Sequence, residues 1–262
     1  MTDLASIAPE GIRLFCLPYA GGSATAYRPW ARCAVDGLIV HALEYPGHGR
    51  RMGETPPGAI PELAAAVRQQ MEPYLGSPYA IYGHSMGGLV GYEVVRQLQV
   101  HGAVLPRHLF ISAIGFGRAP DSLTSLRCAS DHQVLGELRA LGATPAELLS
   151  CQDFADLVVR VIRADAEALA SYEHPTVPAI QVSTSLYGAI DDDLVPLRRL
   201  RSWGAVIIPE PQLALFPGGH FFAFEDPTPV VADIARRLGV FGAGGECPAT
   251  VRPGLRQEGA IR

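Results

Sequence analysis

Apolar residues recur along this chain in two alternating rhythms. Short dense runs at residues 12–17, 38–43, 79–82, 108–112, 180–187, 205–208 and 213–216 have the length and apolar content of buried strands. Pro18 with Gly21-Gly22 closes the first run and Tyr45-Pro46-Gly47 the second, which is turn chemistry. After the first of these turns comes a helix-like stretch, and residues 60–74, 89–98 and 230–238 repeat apolar positions at helical spacing. Pro61 is tolerated in a first helical turn, and Asp226 or Thr228, beside a proline, starts the closing helix. Strand–helix repetition predicts an α/β fold, a mostly parallel sheet covered by helices on both faces.

The rhythm breaks between Gly117 and Pro178. No strand run occurs there, whereas residues 130–141, 145–149 and 154–172 have helical spacing. An all-helical insert of about 60 residues in an α/β chain is expected to form a lid over a site, since long insertions of this kind are often functional. The lid is placed at about residues 118–177, inside a single domain spanning 1–238. Beyond Gly239 the apolar periodicity is lost and Gly and Pro accumulate, so 239–262 is expected to be a disordered tail.

Composition narrows the function classes. The chain has 262 residues, 48% of them apolar and 18% charged, which supports a packed core. Its formal net charge of −5 argues against a nucleic-acid partner, which would call for a basic face. All 21 basic residues are Arg, so no phosphate-cradling Lys exists. Five scattered cysteines form neither a zinc-ligand pattern nor a redox pair. No signal-peptide pattern opens the chain and no run reaches the length of a membrane span, so the expectation is a cytoplasmic protein without membrane association, acting as a monomer.

The chemistry is concentrated in four loops. Gly83-His84-Ser85-Met86-Gly87 matches the G-x-S-x-G nucleophile elbow, between a strand and a helix as that motif requires. The two glycines leave room for a sharp turn that exposes Ser85 at a helix N-terminus, where the Met86 amide can stabilise an oxyanion. His84 is expected to be a packed residue rather than a catalytic one. A base should follow the last strand, and of the eight histidines His220, after Pro217-Gly218-Gly219, has that position. The orienting acid should come from the loop after the preceding main strand, where Asp191, Asp192 and Asp193 all qualify. The second oxyanion donor is assigned to Ala20, in the Pro18–Ser23 loop after the first strand.

With these residues in place, the chain resembles the type II thioesterases of polyketide and non-ribosomal peptide biosynthesis, members of the α/β-hydrolase superfamily. Residues 17–23 with Tyr27 and Trp30 are similar to the family's first-strand motif, Tyr45-Pro46-Gly47-His48-Gly49-Arg50 to its second, and residues 83–88 to its elbow. Arg163-Ala164-Asp165 and Tyr172 resemble a signature of the last lid helix, Trp203 the marker after the acid, and residues 217–222 the histidine motif. The acid departs from the pattern: Gly188 counts forward to Asp191, while Val195, Pro196, Trp203 and His220 count back to Asp192, as if one residue were inserted. Asp192 is favoured, with Asp191 as the alternative.

The resemblance implies an α/β-hydrolase fold and a serine hydrolase that removes acyl groups from the phosphopantetheine arm of acyl- or peptidyl-carrier domains, freeing carriers that are blocked or wrongly loaded. It implies no metal and no organic cofactor. A carboxylester hydrolase or acyltransferase would carry the same triad, and a non-catalytic synthetase-docking protein is the remaining alternative.

Overall fold

A computed structural model describes residues 11–141, 151–174 and 179–240. Its centre is a six-stranded sheet built from β1 (Ile12–Leu17), β2 (Leu38–Ala42), β3 (Tyr79–His84), β4 (Leu109–Ser112), β6 (Thr184–Ala189) and β8 (Gln212–Phe216), in the order β2-β1-β3-β4-β6-β8. Every neighbouring pair is parallel. The inner strands are apolar on both faces because both are covered. Phe15 and Leu17, Tyr79 and Ile81, Leu109 and Ile111 face one core, while Leu14 and Cys16, Ala80 and Tyr82, and Phe110 face the other.

Helices α2 (Ile60–Met71) and α3 (Met86–Val100) fill the first core, and α1 (Trp30–Cys33) and α9 (Pro227–Arg237) fill the second. The closing helix starts three residues ahead of its apolar pattern. Asp226 is its N-cap, with a side chain that accepts from the Thr228 N–H at 3.1 Å, and Pro227 occupies a position that needs no donor. Likewise α3 begins at Met86 rather than at the expected 89, because Gly87 and Gly88 are poor helix formers placed in the first turn by packing. A Cβ on Gly88 would stand 2.6 Å from Ile114.

One expected strand divides. The apolar run 180–187 becomes β5 (Ile180–Gln181) and β6, and β5 pairs with β7 (Ile207–Ile208) in a separate two-stranded sheet. The Gln99 side chain, from α3, takes up the backbone of this segment, accepting from Gln181 N–H at 2.8 Å and donating to Ala179 C=O at 3.1 Å. Those bonds replace ladder partners, and the alternation of apolar residues could not reveal them.

Between β4 and β5 no strand occurs among the described residues. The insertion contains α4 (Asp121–Thr124), a 3-10 turn (Ser125–Cys128), α5 (Asp131–Leu141) and α6 (Gln152–Ser171). Val134 and Leu138 on α5 meet Val159, Ile162 and Ala166 on α6, together with Leu126, in a small core of their own. The helix expected at 145–149 and the tail after 240 lie outside the described residues. The remaining helices, α7 (Leu197–Arg201) and α8 (Phe222–Glu225), follow β6 and β8. The chain runs outward from β1 to β2 and then back across to β3, so strand order reverses between β1 and β3. The crevice at their carboxyl ends is where open parallel sheets of this kind bind ligands.

Candidate active site

The loops leaving β1, β3, β6 and β8 converge on that crevice, and the elbow after β3 is the most constrained of them. Ser85 has φ 52° and ψ −121°, a left-handed conformation that a side chain adopts only under constraint. The constraint is packing. A Cβ on Gly83 would lie 2.0 Å from the Gly87 carbonyl oxygen, and one on Gly87 would lie 2.3 Å from that of Leu17. The Ser85 N–H donates to Ser112 C=O at 2.8 Å, tying the turn to β4. Ser85 thereby sits directly before α3, whose first amide is that of Met86.

Two neighbouring loops bring an acid to a histidine. Ile190 N–H donates to Phe216 C=O at 2.9 Å and Asp191 N–H to Gly218 C=O at 3.1 Å, so the chain after β6 is zipped to the chain after β8. At the end of that zipper His220 Nδ1–H donates to Asp192 Oδ2 at 3.0 Å. A carboxylate only accepts, so Nδ1 carries a proton and Nε2 is the nitrogen left to act as base in the neutral ring. Asp192 is itself fixed, since its Oδ1 accepts from the Leu194 and Val195 N–H groups at 2.9 and 3.1 Å. Its side chain is 1% exposed. Asp191 and Asp193 point their side chains to solvent.

His84 is packed, as its sequence position suggested, but behind His220 rather than away from it. Its ring centroid lies 5.5 Å from that of His220, and Phe221, Phe222 and Phe224 enclose it. Burial, reinforced by His220, holds its pKa well below the ordinary value, so the ring is neutral. Nδ1 lies 3.0 Å from Ser112 Oγ and 3.3 Å from Tyr82 Oη.

The loop after β1 is anchored by two buried tyrosines. Tyr27 donates to Leu17 C=O at 2.7 Å and Tyr45 to Pro18 C=O at 3.1 Å. Burial raises both phenol pKa values, which keeps them as donors. Trp30 donates to Ala223 C=O at 2.9 Å and so ties α1 to the segment after His220. Beyond these anchors, Ala20 joins Ser85 and His220 in lining a pocket whose far wall is the insertion: Leu123, Leu126, Leu138, Ile162, Ala166 and Leu169. The sequence suggested a lid but singled out none of these apolar residues, which helical spacing alone cannot separate from ordinary core. The pocket suits an apolar acyl group beside a serine.

Known proteins identify the family. The thioesterase domain family matches residues 12–238. The chain belongs to the thioesterase family. It is 28% identical over 227 residues to the gramicidin S biosynthesis protein GrsT of Aneurinibacillus migulanus, covering 87% of this chain and 89% of that protein. Among solved structures, the RedJ thioesterase from the prodiginine pathway of Streptomyces coelicolor superposes with a TM-score of 0.79 at 31% identity, covering 88% of this chain and 91% of that one. The type II thioesterase BorB of the borrelidin cluster gives 0.78 at 29% identity, with coverage of 88% and 94%. This thioesterase is thus a hydrolytic enzyme with the α/β-hydrolase fold and a helical insertion. Among the described residues no helix is long and apolar enough to cross a membrane.

Proposed function

We propose that this thioesterase hydrolyses acyl thioesters carried on the phosphopantetheine arm of acyl- or peptidyl-carrier domains, clearing carriers that hold a stalled or wrong acyl group. The observation that carries this reading is a strained serine opening on an apolar pocket whose wall also bears a histidine hydrogen-bonded to a buried carboxylate. Ser85 Oγ attacks the thioester carbonyl while His220 Nε2 takes its proton. Asp192 stabilises the resulting imidazolium and holds the ring in its tautomer. The Met86 and Ala20 amides receive the oxyanion, the C–S bond breaks, and the thiol leaves with the proton from His220. Water, activated by the same imidazole, then attacks the acyl-serine and releases the carboxylic acid. This chemistry calls for no metal or organic cofactor.

The carrier as natural partner is supported by the relatives, whose names tie them to gramicidin S, prodiginine and borrelidin biosynthesis. The test compares one acyl group on a carrier protein, on coenzyme A and as a simple ester. A folded carrier adds contacts that a nucleotide cannot, so kcat/KM should be highest for the acyl-carrier protein. Equal or better turnover of the ester would make the protein a carboxylester hydrolase, and release to an added acceptor rather than to water would make it an acyltransferase. Ser85→Ala should be inactive on all three.

A further inference from the structure

The lid helix does more than wall the pocket. Asp165 on α6 is fully buried, and one oxygen, Oδ2, accepts from two directions: from the Gly21 N–H at 2.7 Å and from His48 Nε2 at 2.9 Å. Gly21 follows Ala20 in the loop assigned to the oxyanion hole, and His48 belongs to the loop after β2. Three chain segments that are remote in sequence therefore meet on one carboxylate oxygen beside the reacting centre.

We propose that Asp165 and His48 are positioning residues for the oxyanion hole, with the lid helix holding the Ala20 loop in its working conformation through the Gly21 amide. The proposal rests on the triad and oxyanion assignments above. The loop is a tight turn in which Gly22 N–H donates to Tyr19 C=O at 2.8 Å, and Gly21 has φ +73°, the value of the second central residue of a type II turn. Glycine there leaves the central peptide free to flip, and no hydrogen bond within the turn prevents it. The bond to Asp165 does prevent it. A flipped peptide would aim the Ala20 carbonyl at the carboxylate and leave both without a donor. Downstream the loop is pinned again, where Glu44 Oε1 accepts from Ala24 N–H at 2.9 Å.

His48 completes the device. Its Nδ1 lies 3.0 Å from the Pro46 carbonyl and its Nε2 meets Asp165, so both ring nitrogens face acceptors and both carry protons. Burial alone would lower its pKa, but the Asp165 hydrogen bond and charge, with Pro46 and Glu44, more than offset that and raise it. The His48 ring thus adds a second donor to the oxygen that the Gly21 N–H already uses, and hydrogen bonds to a carboxylate are the strong ones. Stability alone does not explain the arrangement, because Asp165 Oδ1 is buried with no partner among the described residues, a cost of about 1–3 kcal/mol. Ile162, one turn before Asp165 on the same helix face, presses on the same glycine. A Cβ on Gly21 would stand 2.4 Å from its Cδ1. Because Ile162 also lines the pocket, the helix turn that touches the acyl group is the one that sets the oxyanion donor.

The experiment uses the whole 262-residue chain with Asp165→Ala, Asp165→Asn, His48→Ala and Ser85→Ala. Readouts are kcat and KM on an acyl thioester, the inhibition constant of a short alkyl boronic acid that forms a tetrahedral adduct on serine, and the melting temperature. Asp165→Ala should lower kcat by ~10²–10³, the scale of one lost oxyanion donor, and weaken the boronate by a similar factor. KM should stay within about threefold. Asp165→Asn keeps an acceptor oxygen for Gly21 and should recover at least about tenfold of that loss. His48→Ala should lower kcat and boronate affinity together by about tenfold, and it reads the same device should Asp165→Ala fail to fold. A folded Asp165 or His48 variant with wild-type kcat and boronate affinity overturns the inference, as does a kcat loss without the matching boronate loss. Full turnover by Ser85→Ala would instead overturn the functional reading beneath it.

Discussion

Three consecutive aspartates follow β6, and only the middle one is buried and bonded to His220. Asp192→Asn removes the acceptor that holds the imidazole tautomer, so kcat should fall by as much as ~10⁴ while the fold survives. Asp191→Asn and Asp193→Asn, whose side chains face solvent, should remain within about threefold of wild type. Steady-state kinetics on an acyl thioester with circular dichroism of each variant checks both statements. Ser85 and His220 could be found from sequence because each motif carries its own geometry: paired glycines around a serine, and a Pro-Gly-Gly turn before a histidine. For the acid, downstream spacing favoured Asp192, the residue that meets His220, but left Asp191 open. The acid's place depends on the Ile190–Phe216 and Asp191–Gly218 backbone bonds, which join segments that counting along the chain treats as independent. The same holds for Asp165 and His48, which stood inside family-like motifs without any sign that they touch.

Elements were legible where one physical rule governed them. Strand β1 appears at the bounds its apolar run marks, and α6 closely follows its helical stripe. The rule failed where side chains replaced backbone partners, as Gln99 does for β5, and where glycines were kept in a helix for packing, as at the start of α3. The insertion illustrates a different limit. Its two long helices α5 and α6 were readable, but the face they turn to Ser85 is set by a three-element cluster of Leu126, Val134, Leu138, Val159, Ile162 and Ala166. Leu123 lines the pocket from α4 and is only half-buried, so it can be shortened at modest cost in stability, about 1–2 kcal/mol. Leu123→Ala should widen the acyl pocket and raise kcat/KM for a longer chain relative to a shorter one by about tenfold, the scale of a few apolar contacts. A chain-length series of acyl-coenzyme A substrates measures the ratio, and an unchanged ratio would remove α4 from the specificity wall.

The whole molecule carries an acid liability outside its active site. His108, stacked on Phe110 and 2.8 Å from Ser185 Oγ, has its pKa lowered from 6.5 to about 4 by burial and by Arg237, with Asp233 opposing. The unfolded chain therefore binds this proton more readily than the folded one. Stability from this group is fully present above about pH 6.5 and is lost as pH falls toward 4, a contribution of about 3 kcal/mol. Thermal melts at pH 7.5 and 5 should show the loss, and His108→Gln should reduce it; equal pH dependence in the variant would contradict the assignment. The sheet order that places β1 and β3 side by side at the reversal point likewise belongs to the whole molecule, and it is what brings Ala20 and Ser85 to one pocket. The central claim is that an acyl group passes from sulfur to Ser85. Acid quenching of the enzyme within milliseconds of mixing with an acyl-carrier thioester, followed by peptide mass spectrometry, tests it directly. The account predicts the acyl mass on the peptide containing Ser85, absent in Ser85→Ala and accumulating in a His220→Ala background only slowly. Product formation with that peptide unmodified at every quench time, or the acyl mass on a different residue, would contradict it.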